Sequence, residues 1–227
     1  MTILIGLEIG QSQRPSAICV TELQYRGPRG HRERHWVVRH LERLPSGTRY
    51  PEICRRLNTI CDSVYQQSGR RAELIVNVTG VGRPVMSLLE SRVREVSRII
   101  PVFFNQGDRR SEEGDSRDLS VTLGKAYLVS ALQTSLQSGR LHLPRNADCE
   151  TLAQELMSYQ IEVQPDANER YGAFRVGTKD DLVMALGLTV QHEPSGRTGF
   201  IFVGPRPAGT RPKTGLRASR LNSWPWP

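Results

Sequence analysis

Residues 3–20 read ILIGLEIGQSQRPSAICV, two apolar runs joined by a polar turn that carries Gly10. A short apolar run bounded by turn residues reads as a buried strand. The first run, Ile3 to Leu7, ends on one acid, Glu8. A carboxylate at the end of a buried strand is costly unless it is paired or bound to a metal. Glu8 therefore needs a partner or a task, and the rest of the chain is read for what supplies one.

Three strands open the chain, at residues 3–9, 16–25 and 34–43. The third, RHWVVRHL over residues 34–41, lies among charges and reads as an edge strand with one wet face. Pro51 and Glu52 suit a helix's first turn. Ile53, Leu57, Ile60, Cys61 and Val64 then recur at helical spacing until Gly69. Residues 72–78, AELIVNV, form another buried-type strand that breaks at Thr79-Gly80-Val81-Gly82. A helix is expected over 83–94, a strand over 98–104, and a polar loop or hairpin over 105–120. Helices follow at 124–138 and 147–159, then an extended pair within 161–176. A last helix starts at Asp180-Asp181, with Leu182, Ala185, Leu186 and Thr189 inward. The order predicts an α/β fold whose mixed sheet combines three antiparallel strands with parallel ones, flanked by helices. In such sheets ligands gather outside the carboxyl ends of parallel strands, and Glu8 and Asn77 both stand at such ends.

The 227 residues carry a net charge of +8, from 31 Lys and Arg against 23 Asp and Glu. The basic side chains are nearly all arginine, which suits phosphate recognition. No apolar run is long enough to span a bilayer, and the first residues lack a signal peptide's layout. The four cysteines, Cys19, Cys54, Cys61 and Cys149, show no metal spacing and read as reduced core residues. A cytoplasmic protein without a membrane partner is expected. From Gly204 the composition turns basic and rich in Pro and Gly, with five basic residues and no acid. Residues 1–203 are thus expected to form one domain and 204–227 a disordered tail. Within that tail Arg211, Lys213 and Arg217 are candidate phosphate contacts and Trp224 and Trp226 candidate base-stacking residues.

Glu8, Asn77 and the Asp180-Asp181 pair are the residues this topology can gather. Clustered carboxylates repel each other, and a divalent cation, Mg²⁺ or Mn²⁺, holds such groups together through oxygen ligands. Two ions can clamp the attacking and leaving oxygens of a phosphodiester displacement.

Five phrases in order then resemble the C-terminal nuclease domain of phage terminase large subunits, an RNase H-like fold. They are GLEIGQSQRPSAICV (6–20), LIVNVTGVG (74–82), GKAYLVSALQTSLQSGRLHLP (124–144), the L-x-x-E-L of residues 152–156, and KDDLVMALGL (179–188). The resemblance covers residues 3–192. It implies a two-metal endonuclease that cuts DNA by water attack. Glu8 would stand for the first-strand aspartate, Asn77 for the second acid, and Asp180 or Asp181 for the third. Lys125 matches a lysine near that site and Lys179 precedes the acids, both as nucleic-acid contacts.

The departures bear on chemistry. Glu8 keeps the charge of the usual aspartate but adds a methylene. Asn77 removes a charge from the position that flanks both ions, and site affinity for hard ions follows charge count. Asp115 or Asp118 on the polar loop is a candidate replacement. No G-x-x-x-x-G-K-[ST] phosphate loop occurs, so a separate packaging ATPase or other phage proteins would be partners. Competing readings are a catalytically inactive DNA-binding or scaffold protein, a Holliday-junction-resolvase-like enzyme, and an actin- or sugar-kinase-like ATPase.

Overall fold

The computed structural model describes residues 2–11, 14–81, 83–105, 107–115, 118–158, 160–163, 169–172 and 179–192. The elements run β1 (Thr2–Glu8), β2 (Ala17–Arg26), β3 (Glu33–Arg43), α1 (Tyr50–Ser68), β4 (Ala72–Asn77), α2 (Arg83–Val93) and β5 (Ser97–Asn105). Next come β6 (Arg110–Glu113), β7 (Ser120–Gly124), α3 (Lys125–Gln137), β8 (Leu141–His142) and α4 (Ala147–Ser158). The hairpin strands β9 (Gln160–Val163) and β10 (Glu169–Gly172) precede α5 (Asp181–Gln191). Met1–Pro194 make one compact unit. The expected boundary at residue 203 and the tail with Arg211, Lys213 and Arg217 lie outside the described residues.

One eight-stranded sheet has the order β6-β7-β5-β4-β1-β2-β3-β8. Strand β1 pairs antiparallel with β2 and β2 with β3, while β4, β5 and β7 all run parallel to β1. This is the mixed sheet that the strand order predicts. The central strands are buried on both faces: Ile3, Leu4, Ile5 and Leu7 are at most 5% exposed, and Leu74, Ile75 and Val76 are fully buried. Each such side chain contributes about 1.5–3 kcal/mol, so the apolar runs nucleate the core.

Helix α1 buries Ile53, Leu57, Ile60, Cys61 and Val64 as their spacing predicts, and Cys54 with them. Gly69 ends it in the left-handed region at φ 65°, its N–H donating to the Tyr65 carbonyl at 2.8 Å. All four cysteines are free and buried. Among the described residues no helix is long and apolar enough to cross a membrane.

Two elements, β3 and α5, differ from expectation. Strand β3 is not a bare edge, because β8 pairs in parallel with Trp36 and Val37; two residues are too few to show a period. The 105–120 stretch is of the expected hairpin kind, with β6 turning back antiparallel on β7. Its charges face water at the sheet's rim, where alternation is not enforced by burial. Helix α5 is buried on every side rather than on one face. It lies between β1 and β2 on one side and α3 and α4 on the other, so neither flank meets solvent.

Candidate functional site

The parallel register sets Leu4 opposite Glu73 and Leu7 opposite Val76, so the next step brings Glu8 and Asn77 side by side at the carboxyl ends of β1 and β4. Asn77 Nδ2 donates to both carboxylate oxygens of Glu8, at 3.0 Å to Oε1 and 2.9 Å to Oε2. The Thr79 backbone N–H donates to Asn77 Oδ1 at 3.0 Å. That second bond orients the amide: its oxygen faces the turn, leaving the NH₂ for Glu8. The turn is pinned in its own right, with Thr79 Oγ1 accepting from the Phe104 N–H at 2.7 Å and the Thr79 carbonyl from Gln11 Nε2 at 3.1 Å.

The third segment arrives through two glycines. A Cβ on Gly6 would sit 2.0 Å from the Ala185 carbonyl oxygen, and one on Gly187 would sit 2.3 Å from Leu128 Cδ2. Helix α5 therefore touches β1 backbone to backbone and takes α3 on its other side. Its amino end comes to the carboxyl end of β1. There Glu155 of α4 accepts from the Leu182 and Val183 N–H groups, at 3.1 and 3.4 Å, and acts as the cap of α5. Arg43, at the end of β3, donates to Asp181 Oδ2 at 2.6 Å and pairs with Glu155. Asp181 and Glu155 are each only 6% exposed.

These contacts separate two neighbouring acids. Asp181 is committed to Arg43, while Asp180 is half-buried and makes no capping bond. Both charges reach Glu8. Burial pushes the Glu8 carboxyl up to about 7; the Asn77 hydrogen bond opposes this, Asp180 and Asp181 reinforce it, and Lys125 opposes it. Asp180 acts on Glu8 more strongly than Asp181 does. Lys125 opens α3 directly after β7, which puts it at the same end of the sheet. Lys179 is exposed beside Asp180.

Asp115 and Asp118 are not brought to this place. They lie in the β6–β7 connection, at the amino end of β7, whereas Glu8 ends the parallel strand β1. Two strands, β5 and β4, stand between β7 and β1, and neither acid is among the charges that act on Glu8, so neither replaces the charge that Asn77 lacks. Arg43 and Glu155, which hold the amino end of α5, were not singled out from sequence; Glu155 stood in the quoted L-x-x-E-L phrase, and Arg43 carried no signal at all.

The fit to divalent ions is decided by commitments already made. Both oxygens of Glu8 receive Asn77, the Asn77 oxygen receives Thr79, and Asp181 receives Arg43. Among the described residues no three His, Cys, Asp or Glu side chains group so as to hold a metal ion. Two carboxylates facing each other require a cation or a proton between them; a carboxylate facing an amide requires neither. The residues present do not fit a pair of ions.

No family model matches the chain, and no curated protein does. Solved structures do. The chain is similar to the large terminase nuclease of thermophilic phage G20c, solved with bound cobalt and with bound magnesium, at 21% identity and a TM-score of 0.57, over 83% of this chain and 80% of that one. The large terminase nuclease domain of Thermus phage P74-26 aligns at 17% identity and a TM-score of 0.54, over 88% and 84%. The manganese-soaked terminase nuclease domain of human cytomegalovirus aligns at 12% and 0.50, over 83% and 80%. By fold, the chain is RNase H-like, with the architecture of terminase large-subunit nuclease domains.

Proposed function

We propose that this chain is a DNA-binding protein built on the terminase-nuclease fold, in which a hydrogen-bonded Glu8–Asn77 pair stands where a two-ion hydrolytic centre would need two acids. The observation that carries this reading is the Asn77 amide donating to both oxygens of Glu8. The pair gives both oxygens of Glu8 a donor without a cation and offsets part of the cost of an acid at the end of a buried strand. Lys125 and Lys179 flank the same end of the sheet and supply positive charge for a phosphate backbone. The net charge of +8 adds a general attraction for DNA.

The raised Glu8 carboxyl favours a second reading. Burial and the two aspartates keep Glu8 ready to take up positive charge, which suits one Mg²⁺ or Mn²⁺ between Glu8 and Asp180 and a slow endonuclease. One experiment separates the two. Supercoiled plasmid is incubated with the purified chain and Mn²⁺, alongside binding titrations at several salt concentrations. Binding without nicking, weakening by about tenfold or more between 50 and 200 mM salt, supports the first reading. Nicking that vanishes in Asp180→Asn supports the second, and a flat salt response contradicts both.

A further inference from the structure

Strands β2 and β3 outrun their neighbours. Strand β1 runs with β2 as far as Leu23, opposite Thr2, and β8 meets β3 at Trp36 and Val37. Beyond those pairs the two strands continue as a ribbon, from Gln24 opposite His35 to Arg26 opposite Glu33. Glu8 lies opposite Ala17, at the other end of β2. Ten residues of strand, roughly 30 Å, separate that place from Arg26. The ribbon is therefore distinct from the end of the sheet that carries Glu8 and Lys125.

Its tip is a closed, basic turn. The His31 N–H donates to the Pro28 carbonyl at 3.1 Å, and Gly27 and Gly30 take φ of 116° and 92°, in the left-handed region. A Cβ on Gly27 would meet the His31 carbonyl oxygen at 2.5 Å, so the two sides of the turn approach closely. Residues 26–33 are all exposed, and they set Arg26, Arg29 and Arg32 against one acid, Glu33. Arg26 is positioned by neutral partners. Its Nε and Nη2 donate to Gln24 Oε1 at 3.1 and 2.8 Å, and its Nη1 donates to His142 Nε2 at 3.3 Å. Burial, and then Arg26 itself, hold the His142 imidazole below its usual range, so the charge of Arg26 is braced and not cancelled. Arg29 and Arg32 make no side-chain hydrogen bond or ion pair among the described residues. Exposed guanidiniums on a stiff ribbon can take phosphate oxygens in bidentate fashion.

We infer that the β2–β3 ribbon enters the major groove of duplex DNA, with Arg29 and Arg32 on the phosphates at its rims. The inference rests on the DNA-binding reading above and gives it a second contact surface. A two-stranded ribbon fits that groove, which is about 12 Å wide, and the glycines keep the tip narrow. Contacts to phosphate set register and carry no sequence preference of their own.

The test measures binding of the full chain to a labelled duplex of about 20 base pairs and to one of its single strands, by fluorescence anisotropy between 50 and 200 mM salt. Arg29→Gln/Arg32→Gln should weaken duplex binding by about tenfold at the lower salt and reduce the salt slope by about 2, since each phosphate contact contributes about 0.9. Both side chains are exposed and unpartnered, so the variant keeps its fold. Arg55→Gln/Arg92→Gln, which removes the same charge from exposed positions on α1 and α2, should change the slope by less than about 0.5. The single strand offers no groove, and its binding should not respond to the ribbon variant. A duplex slope unchanged in the ribbon variant, an equal fall in the helix variant, or an equal loss on the single strand overturns this inference and leaves the DNA-binding reading standing. A wild-type chain that binds no DNA overturns both.

Discussion

Across two neighbouring parallel strands, one side-chain nitrogen of Asn77 serves both oxygens of Glu8, at 3.0 and 2.9 Å. The relationship replaces a pair of mutually repelling acids by a donor and an acceptor. Its first consequence concerns metal. In Asn77→Asp two carboxylates would stand within bonding range, and one must share a proton or a cation. Thermal unfolding at pH 7.5 should show that variant melting lower than wild type in EDTA and regaining roughly 5 °C with saturating Mn²⁺. Wild type should not respond. An equal rise in both proteins would contradict the reading.

Glu8 also ties stability to pH. Its folded-state value of about 7 lies above the ordinary 4.5. A carboxyl raised in this way gives its full stabilisation below pH 4.5 and loses it as the pH climbs through about 7. Between pH 5 and 8 wild type should lose about 2–3 kcal/mol relative to Glu8→Gln. Urea midpoints at intervals across that range would measure it, and parallel curves for the two proteins would refute it.

Arg43 bridges two acids that are otherwise buried, Asp181 and Glu155. Removing one partner of a buried ion pair strands the remaining charge. Arg43→Ala should therefore cost about 3–5 kcal/mol by chemical denaturation. Asp180→Asn, which breaks no capping bond and takes a like charge away from Glu8, should cost less than about 0.5 kcal/mol. Similar losses in the two variants would mean that the acids have been assigned to the wrong neighbours.

Gly6 admits no side chain because the Ala185 carbonyl occupies that space. In Gly6→Ala either β1 or α5 must move. A loss of about 1–3 kcal/mol is expected from the overpacking. Because α5 carries Asp181 and Asp180 directly precedes it, the Glu8 carboxyl should also titrate lower in this variant, as ¹³C NMR of the side chain would read. A variant as stable as wild type would show that the helix does not bear on the strand there.

Most of the architecture is legible in the chain. Ile3–Leu7 and Leu74–Val76 are apolar without a break because both faces of the central strands are covered, and α1 shows its inward residues because only one of its faces is. Legibility fails where those physical conditions fail. Strand β8 is two residues long and has no period. The spacing of Leu182, Ala185, Leu186 and Thr189 marks a single inward face on helix α5, yet Asp181 and Gln191 at its two ends are buried too.

For the site, local composition marks Glu8, Asn77 and the Asp180-Asp181 pair, because strand ends and helix starts are legible in it, while Lys125 enters only through the resemblance to terminase nuclease domains. It could not say which of two adjacent aspartates stays open, since that depends on Arg43, which lies 138 positions away. Nor could it tell that Asn77 gives Glu8 a hydrogen bond in place of a charge. Sequence determines which side chains reach the carboxyl ends of the strands, through periodicity and turns that act over a few residues. Only the tertiary structure decides which of them are already paired, because pairing is settled by register and helix placement between segments far apart in the chain.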